Sequence, residues 1–198
     1  MNHYFNSNES LKHDKKEIEY VYNFTKFNFI TDAGVFSKDG VDAATDILLK
    51  NLRGLSGKIL DLGCGYGCAG IVLAKIYGDY VDVTMSDING RAVKLAEENA
   101  KKNDVRVKIV KSDKFADIPG SFDAIILNPP IHAGKSVIYE IYEESYRHLN
   151  ANGRFFIVIQ KKHGAQSHSR KLEAIFGTGN SFAAYSKKGF FVFESKKL

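Results

Sequence analysis

From Lys58 onward, short apolar runs alternate with longer stretches of helical periodicity, a pattern that predicts parallel strands joined by crossover helices. The predicted strands are 58–62, 80–86, 105–110, 122–127, 154–160, 181–185 and 189–195, which together make one seven-stranded sheet. Amphipathic helices are predicted over 68–77, 89–102, 135–149 and 167–176, with Ala92, Leu95, Ala96 and Asn99 on one stripe of the second. Only SKKG separates the last two strands, so they should pair antiparallel through a tight turn and close the sheet as an edge hairpin. Ahead of this core, EIEYVYNFTKFNFIT alternates Ile18, Tyr20 and Tyr22 and then Phe27 and Phe29, which predicts a two-stranded ribbon packed on the main body. A helix over 39–52, with Val41, Ala44, Leu48 and Leu52 on one side, follows the turn-rich DAGVFSKDG. The fold class is therefore α/β, a Rossmann-like doubly wound sheet with an antiparallel last strand, preceded by a β-ribbon and a helix.

Composition adds limits. At 198 residues and 44% hydrophobic, the chain suits one domain over 1–198, with 1–53 as an extension on a 58–198 core. No apolar run approaches the roughly 20 residues that span a bilayer, and MNHYFNSNES lacks the charged-then-apolar layout of a secretory leader. A cytoplasmic protein with no membrane partner is the expectation. Cys64 and Cys68, with no histidine cluster beside them, predict small core residues, with no disulfide framework and no metal site. Charge is lopsided: residues 161–198 hold eight Lys or Arg against Glu173 and Glu194, while the formal charge of the whole chain is +5. Such a surface attracts polyanions, nucleic acid foremost, although a solvated Lys-rich tail would have the same composition.

The first core strand runs into Asp61-Leu62-Gly63-Cys64-Gly65-Tyr66-Gly67 and then a helix. Three glycines thus fall where the backbone must turn and approach a ligand without intervening side chains. GYGCAG, residues 65–70, also satisfies the dinucleotide pattern G-x-G-x-x-G, and Asp87 at the next strand end can hold ribose hydroxyls under either reading. Asp61 favours a different cofactor. A carboxylate there repels a pyrophosphate and suits an ammonium group, which S-adenosylmethionine carries. Asp113, in the KSD that follows the third strand, extends the acidic series and can accept from an adenine amino group, or simply form a turn.

NPPI, residues 128–131, holds two of the three prolines and ends the fourth core strand. In open α/β sheets this carboxyl end is where ligands bind. Each proline fixes its own φ and restricts the residue before it, so Asn128 and Pro129 are held stiffly. The Asn128 side-chain oxygen and the Pro129 carbonyl can then converge on an exocyclic amino group. Accepting both N–H groups draws that nitrogen toward tetrahedral geometry and frees its lone pair to attack a sulfonium methyl, with positioning supplying much of the acceleration. No metal is needed.

LDLGCGYG (60–67), SDI (86–88), SD (112–113) and NPPI (128–131) resemble the motifs of class I S-adenosylmethionine-dependent methyltransferases over nearly the whole chain. TDAGVFSKDGVD, NPPIHAGK and VIQKKHGA are more narrowly similar to the rRNA guanine-N2 methyltransferases of the small-subunit methyltransferase C type. That resemblance implies that Asp61, Gly63, Gly65 and Gly67 contact the methionine part, Asp87 with its neighbour Ile88 the ribose side, and Asp113 the adenine. It implies that Phe36 covers the cofactor and that Asn128 and Pro129 hold the target amino group. Pro130 and Ile131 would meet the base, and His132 would stack or hydrogen-bond with it or be simply an exposed loop residue, while Lys135, Lys161, Lys162 and His163, near the same strand ends, would meet phosphates or form a solvated face. Larger members of the family carry an extra N-terminal domain for RNA, whereas about 57 residues precede the core here, so the basic C-terminal end is a candidate to take over. Ile131 stands where amino methylases of adenine or glutamine usually have an aromatic residue, which argues against adenine stacking. A guanine N2 inside a helix is inaccessible, so the expected substrate is unpaired or flipped-out rRNA, nascent or in a partly assembled small subunit. Three alternatives remain at this level: another base or a protein glutamine as acceptor, a dinucleotide-dependent oxidoreductase, and an RNA-binding module.

Overall fold

A computed structural model describes residues 11–198, so the reading of the first ten residues as lacking a leader lies outside the described residues. The ribbon consists of β1 (Lys16–Tyr22) and β2 (Thr25–Thr31), antiparallel, with Ile18 opposite Phe29 and Tyr20 opposite Phe27. Period-2 alternation places Tyr22, Phe27 and Phe29 on one face, where they are buried against the main body.

The core contains β3 (Gly57–Leu62), β4 (Val81–Asp87), β5 (Lys108–Lys111), β6 (Phe122–Leu127), β7 (Leu149–Gln160), β8 (Ser181–Lys187) and β9 (Phe190–Lys196). They form one seven-stranded sheet in the order β5-β4-β3-β6-β7-β9-β8, parallel except for β9, which runs antiparallel between β7 and β8. Strand order reverses between β3 and β6. That switch point opens a crevice at the carboxyl ends of the strands. The helices are α1 (Ala43–Asn51), α2 (Cys68–Tyr77), α3 (Gly90–Lys102), α4 (Lys135–Arg147) and α5 (Ala165–Phe176). Successive strand residues face opposite sides: Ile59 joins the core made with the ribbon, α1, α2 and α3, and Leu60 joins the one made with α4 and α5.

Among the boundaries that differ from the sequence expectation, three have a clear local reason. α1 starts at Ala43 instead of 39 because Asp42 is its N-cap, accepting from the backbone N–H groups of Ala44 and Thr45. β5 loses 105–107 because Asp104 takes a left-handed conformation and the Val105 N–H bonds the Ala100 carbonyl, closing the end of α3. β7 begins five residues early, with Leu149 opposite Phe122, and absorbs NANG as a bulge in which Asn152 has φ 63°. The edge hairpin forms as expected, around Lys188 and Gly189, both at positive φ. Cys68 is a core residue, whereas Cys64 lies in the glycine loop, half-buried.

Asn99 fastens the ribbon to the core. Fully buried on α3, its Oδ1 accepts from Ile30 N (2.6 Å) and its Nδ2 donates to the Ile30 and Tyr66 carbonyls (2.9 Å each). Removing the amide leaves three backbone groups without that partner. Asn99→Ala is therefore expected to cost about 3 kcal/mol in urea unfolding, and a loss under about 0.5 kcal/mol would contradict this role.

Candidate active site

The crevice at the switch point is a cavity of about 640 Å³. Its floor is the glycine loop. Gly63 and Gly65 hold φ of 71° and 58°, and an added Cβ at either would meet no atom within 4 Å, so the loop's open side faces space instead of protein. Gly67 also has positive φ, but it caps α2 and packs against Ala96 and Ile71 outside the cavity lining. Gly70, the last glycine of GYGCAG, lies within α2, where a Cβ would fall 2.3 Å from the Met85 sulfur. Helix–sheet packing alone accounts for that glycine.

Two carboxylates, Asp61 buried and Asp87 half-buried, hold the loop and the start of α2 from behind. Asp61 Oδ2 accepts from Gly70 N (2.8 Å), and Asp87 accepts from Gly65 N through Oδ2 (2.8 Å) and from Asn89 N through Oδ1 (2.9 Å). Both line the cavity. Burial pushes the Asp61 carboxyl up to about 7, with the Asp87 charge adding to the rise and the Gly70 N–H opposing it. Burial also raises Asp87, against the backbone N–H groups it accepts from. Beside them the Ser86 hydroxyl is buried with no partner among the described residues.

The wall opposite is Asn128-Pro129-Pro130, from which Ile131–Ala133 turns back toward α4. Asn128 Nδ2 donates to Asp42 Oδ2 (3.0 Å) and to Thr45 Oγ1 (3.1 Å). A carboxylate can only accept, so the Asn128 atom facing it must be the amide nitrogen. Both amide hydrogens are thereby used and Oδ1 is left as an acceptor. The Pro130 carbonyl is taken by Ala133 N, whereas the Pro129 carbonyl has no protein donor among the described residues.

Most of the residues expected from sequence meet here. Phe36, Asp61, Gly63, Gly65, Asp87, Ile88, Asp113, Asn128, Pro129, Pro130, Ile131, His132 and His163 line one cavity, with Asp113 and His132 exposed at its rim. Lys135, Lys161 and Lys162 lie outside the lining, exposed at the start of α4 and in the turn after β7. Sequence reasoning missed Asp42 and Thr45. An aspartate directly before an apolar helical run is an N-cap signal and was available for Asp42; its second partner, 86 residues away, was not. No helix among the described residues is long and apolar enough to cross a membrane.

A doubly wound sheet with this loop, an acidic second strand end and an Asn-Pro-Pro corner at the switch point defines a class I S-adenosylmethionine-dependent methyltransferase. More narrowly, the chain belongs to the methyltransferase small domain family, whose model matches residues 26–194. It is 40% identical over 99% of its length to the uncharacterized protein YbxB of Bacillus subtilis, and covers 98% of that protein. It is 35% identical over 78% of its length to the ribosomal RNA small subunit methyltransferase C of Haemophilus influenzae, but spans only 49% of that relative. Among solved structures, the T. thermophilus 16S rRNA N2 methyltransferase (RsmC), in complex with AdoMet and guanosine, superposes with a TM-score of 0.83 at 24% identity, over 93% of this chain and 51% of the other.

The raised Asp61 carboxyl fixes a pH dependence. In the ligand-free fold it keeps its proton up to about pH 7, against 3.8 for the ordinary carboxyl, so its contribution to stability is greatest below pH 4 and is lost as pH rises through about 7. Asp61→Asn, neutral throughout, should raise the melting temperature relative to the parent at pH 8 and change it little at pH 4. A difference that does not vary with pH would contradict the assignment.

Proposed function

We propose that this protein transfers a methyl group from S-adenosylmethionine to the exocyclic N2 of an unpaired guanine in small-subunit rRNA. The observation that carries the reading is the fixed orientation of Asn128: with its amide nitrogen held by Asp42 and Thr45, its oxygen can only accept. Two acceptors, Asn128 Oδ1 and the Pro129 carbonyl, suit a group with two N–H donors. A base amino group is such a group; a hydroxyl or a carbon acid is not.

The lining fits the cofactor on its own chemistry. Gly63 and Gly65 leave room that any side chain would fill, Asp61 offers a buried carboxylate to the ammonium group, and the Ser86 hydroxyl awaits a partner. Asp87 already accepts two backbone N–H groups, yet each carboxylate oxygen keeps a further lone pair for a ribose hydroxyl. Asp113 at the rim would take the adenine amino group, and Phe36, with 44% of its surface exposed, would lie over the cofactor. When bound, S-adenosylmethionine supplies an electrophilic sulfonium methyl.

The rest is done by this chain's own groups. Asn128 and Pro129 fix the amino nitrogen and draw both its hydrogens, which makes its lone pair available at the cost of ring conjugation. Rigidity is what makes this effective, because acceptors already in place need no reorganisation as charge develops. Ile131 offers an apolar face to a flat base, and His132 and Pro130 border it. RNA assembled into small subunits is found in the cytoplasm, which is where the proposed reaction would take place. The similarity to RsmC proteins supports rRNA as substrate, and Ile131 in place of an aromatic residue supports guanine over adenine.

Labelled S-adenosylmethionine incubated with the protein and rRNA from a strain lacking it should give label on a guanine N2, mapped by mass spectrometry. Label only on adenine or on protein would overturn the proposal. Asn128→Ala should lower kcat at least about 100-fold while leaving S-adenosylmethionine affinity within a few-fold. Asp42→Ala, which keeps the acceptor but frees its rotor, should lower kcat by about 10-fold to 100-fold; full activity in Asp42→Ala would show that the clamp does not position Asn128.

A further inference from the structure

The β8–β9 hairpin brings a remote stretch of chain to the mouth of the cavity. β7 is parallel to β6, so its end at Gln160 lies on the same edge of the sheet as Asn128. β9 starts opposite that end, with Phe190 paired to Gln160, and the Gly189 carbonyl accepts from Lys161 N at 2.8 Å. The turn Lys187–Gly189 is therefore fastened beside Lys161 and Lys162, while Gln160 and His163 of the same segment line the cavity. β6 and β9 are two strand spacings apart, about 10 Å.

Lysines without a carboxylate partner among the described residues occur elsewhere too, Lys58, Lys94, Lys101 and Lys108 among them, but four gather at this edge beside the cavity. Lys15, Lys16, Lys50, Lys102, Lys114 and Lys171 each meet a carboxylate at 2.5–3.1 Å. Lys161, Lys162, Lys187 and Lys188 are exposed and have no carboxylate partner among the described residues. Lys135 is exposed on the other side of the same segment, near enough that a Cβ on Gly164 would lie 3.3 Å from its Nζ. Folding alone does not ask for a lysine at position 188, where φ is 53° and glycine or asparagine is less strained.

We propose that Lys187 and Lys188, with Lys161 and Lys162, form a rail for the phosphates of a single RNA strand leaving the cavity, so that the final hairpin is a substrate-binding element. The inference rests on the RNA reading above and extends it from Lys161 and Lys162 of VIQKKHGA to the hairpin lysines, which no motif marked. The strand is single because a duplex buries the target amino group, and its backbone is the only part a row of ammonium groups can read without regard to sequence. These contacts are remote from the reacting nitrogen and equal before and during transfer. They therefore belong in KM and not in kcat.

The test uses the full chain, rRNA from the strain lacking it, and the variant Lys187→Gln/Lys188→Gln. A control, Lys101→Gln/Lys108→Gln, makes the same charge change at the opposite edge of the sheet, at the end of α3 and the start of β5. The expected result is a KM for RNA raised about tenfold with kcat unchanged, and a slope of log KM against log salt reduced by about 1.4, or about 0.7 for each single-strand phosphate no longer neutralised. Melting temperature and S-adenosylmethionine binding should match the parent, and each single substitution should give about half the change in slope. A KM and slope equal to the control's, with the parent methylating rRNA, would overturn the rail and leave the proposed reaction standing. A parent that methylates no RNA would overturn both.

Discussion

The hydrogen bonds from the Asn128 amide to Asp42 and Thr45 are the constraint on which the site's chemistry turns. An asparagine side chain is nearly symmetric in shape and opposite in polarity at its two ends, so an unanchored one would present donor and acceptor alternately. Asp42 removes that ambiguity because a carboxylate has nothing to donate. The same oxygen accepts from the first N–H groups of α1, so helix start and acceptor orientation share one atom. The N-terminal extension thus works as part of the site and not as packing alone. Asn99, which clips β2 to α3, and Tyr22, whose hydroxyl donates to the Leu49 carbonyl, hold that extension in place.

A second constraint acts across the cavity. Asp61 is buried and Asp87 half-buried at adjacent strand ends, and each spends part of its hydrogen-bonding capacity on backbone N–H groups of the loop or helix that follow. Burial of Asp61 raises its carboxyl, and the nearby Asp87 charge adds to the rise. A cationic ligand opposes that rise. The raised Asp61 carboxyl and the proposed cofactor chemistry therefore have one physical origin.

The chain spans about half the length of the H. influenzae relative and nearly all of YbxB. Its sheet carries a hairpin turn to the cavity's edge by reversing direction at β9, which a further parallel strand would not do. The lopsided charge of residues 161–198 acquires meaning through that reversal: part of it is gathered at the mouth, while Lys171 is neutralised by Glu143 and Lys197 donates to the Leu149 carbonyl.

Sequence alone determined the alternation of strand and helix, the glycine loop, the stiff Asn-Pro corner and the edge hairpin. Each is written in local chemistry: period, glycine at positive φ, proline's fixed φ and a two-residue turn. It missed the early start of β7, because NANG has turn chemistry and becomes a bulge only when Phe122 supplies a partner. It placed Gly67 at the ligand, where packing against Ala96 gives it a different task. Only tertiary structure decided which Asn128 atom faces the cavity, how far Asp61 is desolvated, and which lysines stay unpaired. Those properties depend on neighbours tens of residues away in the chain, and hydrogen-bond polarity, burial and ion pairing exist only once those neighbours meet.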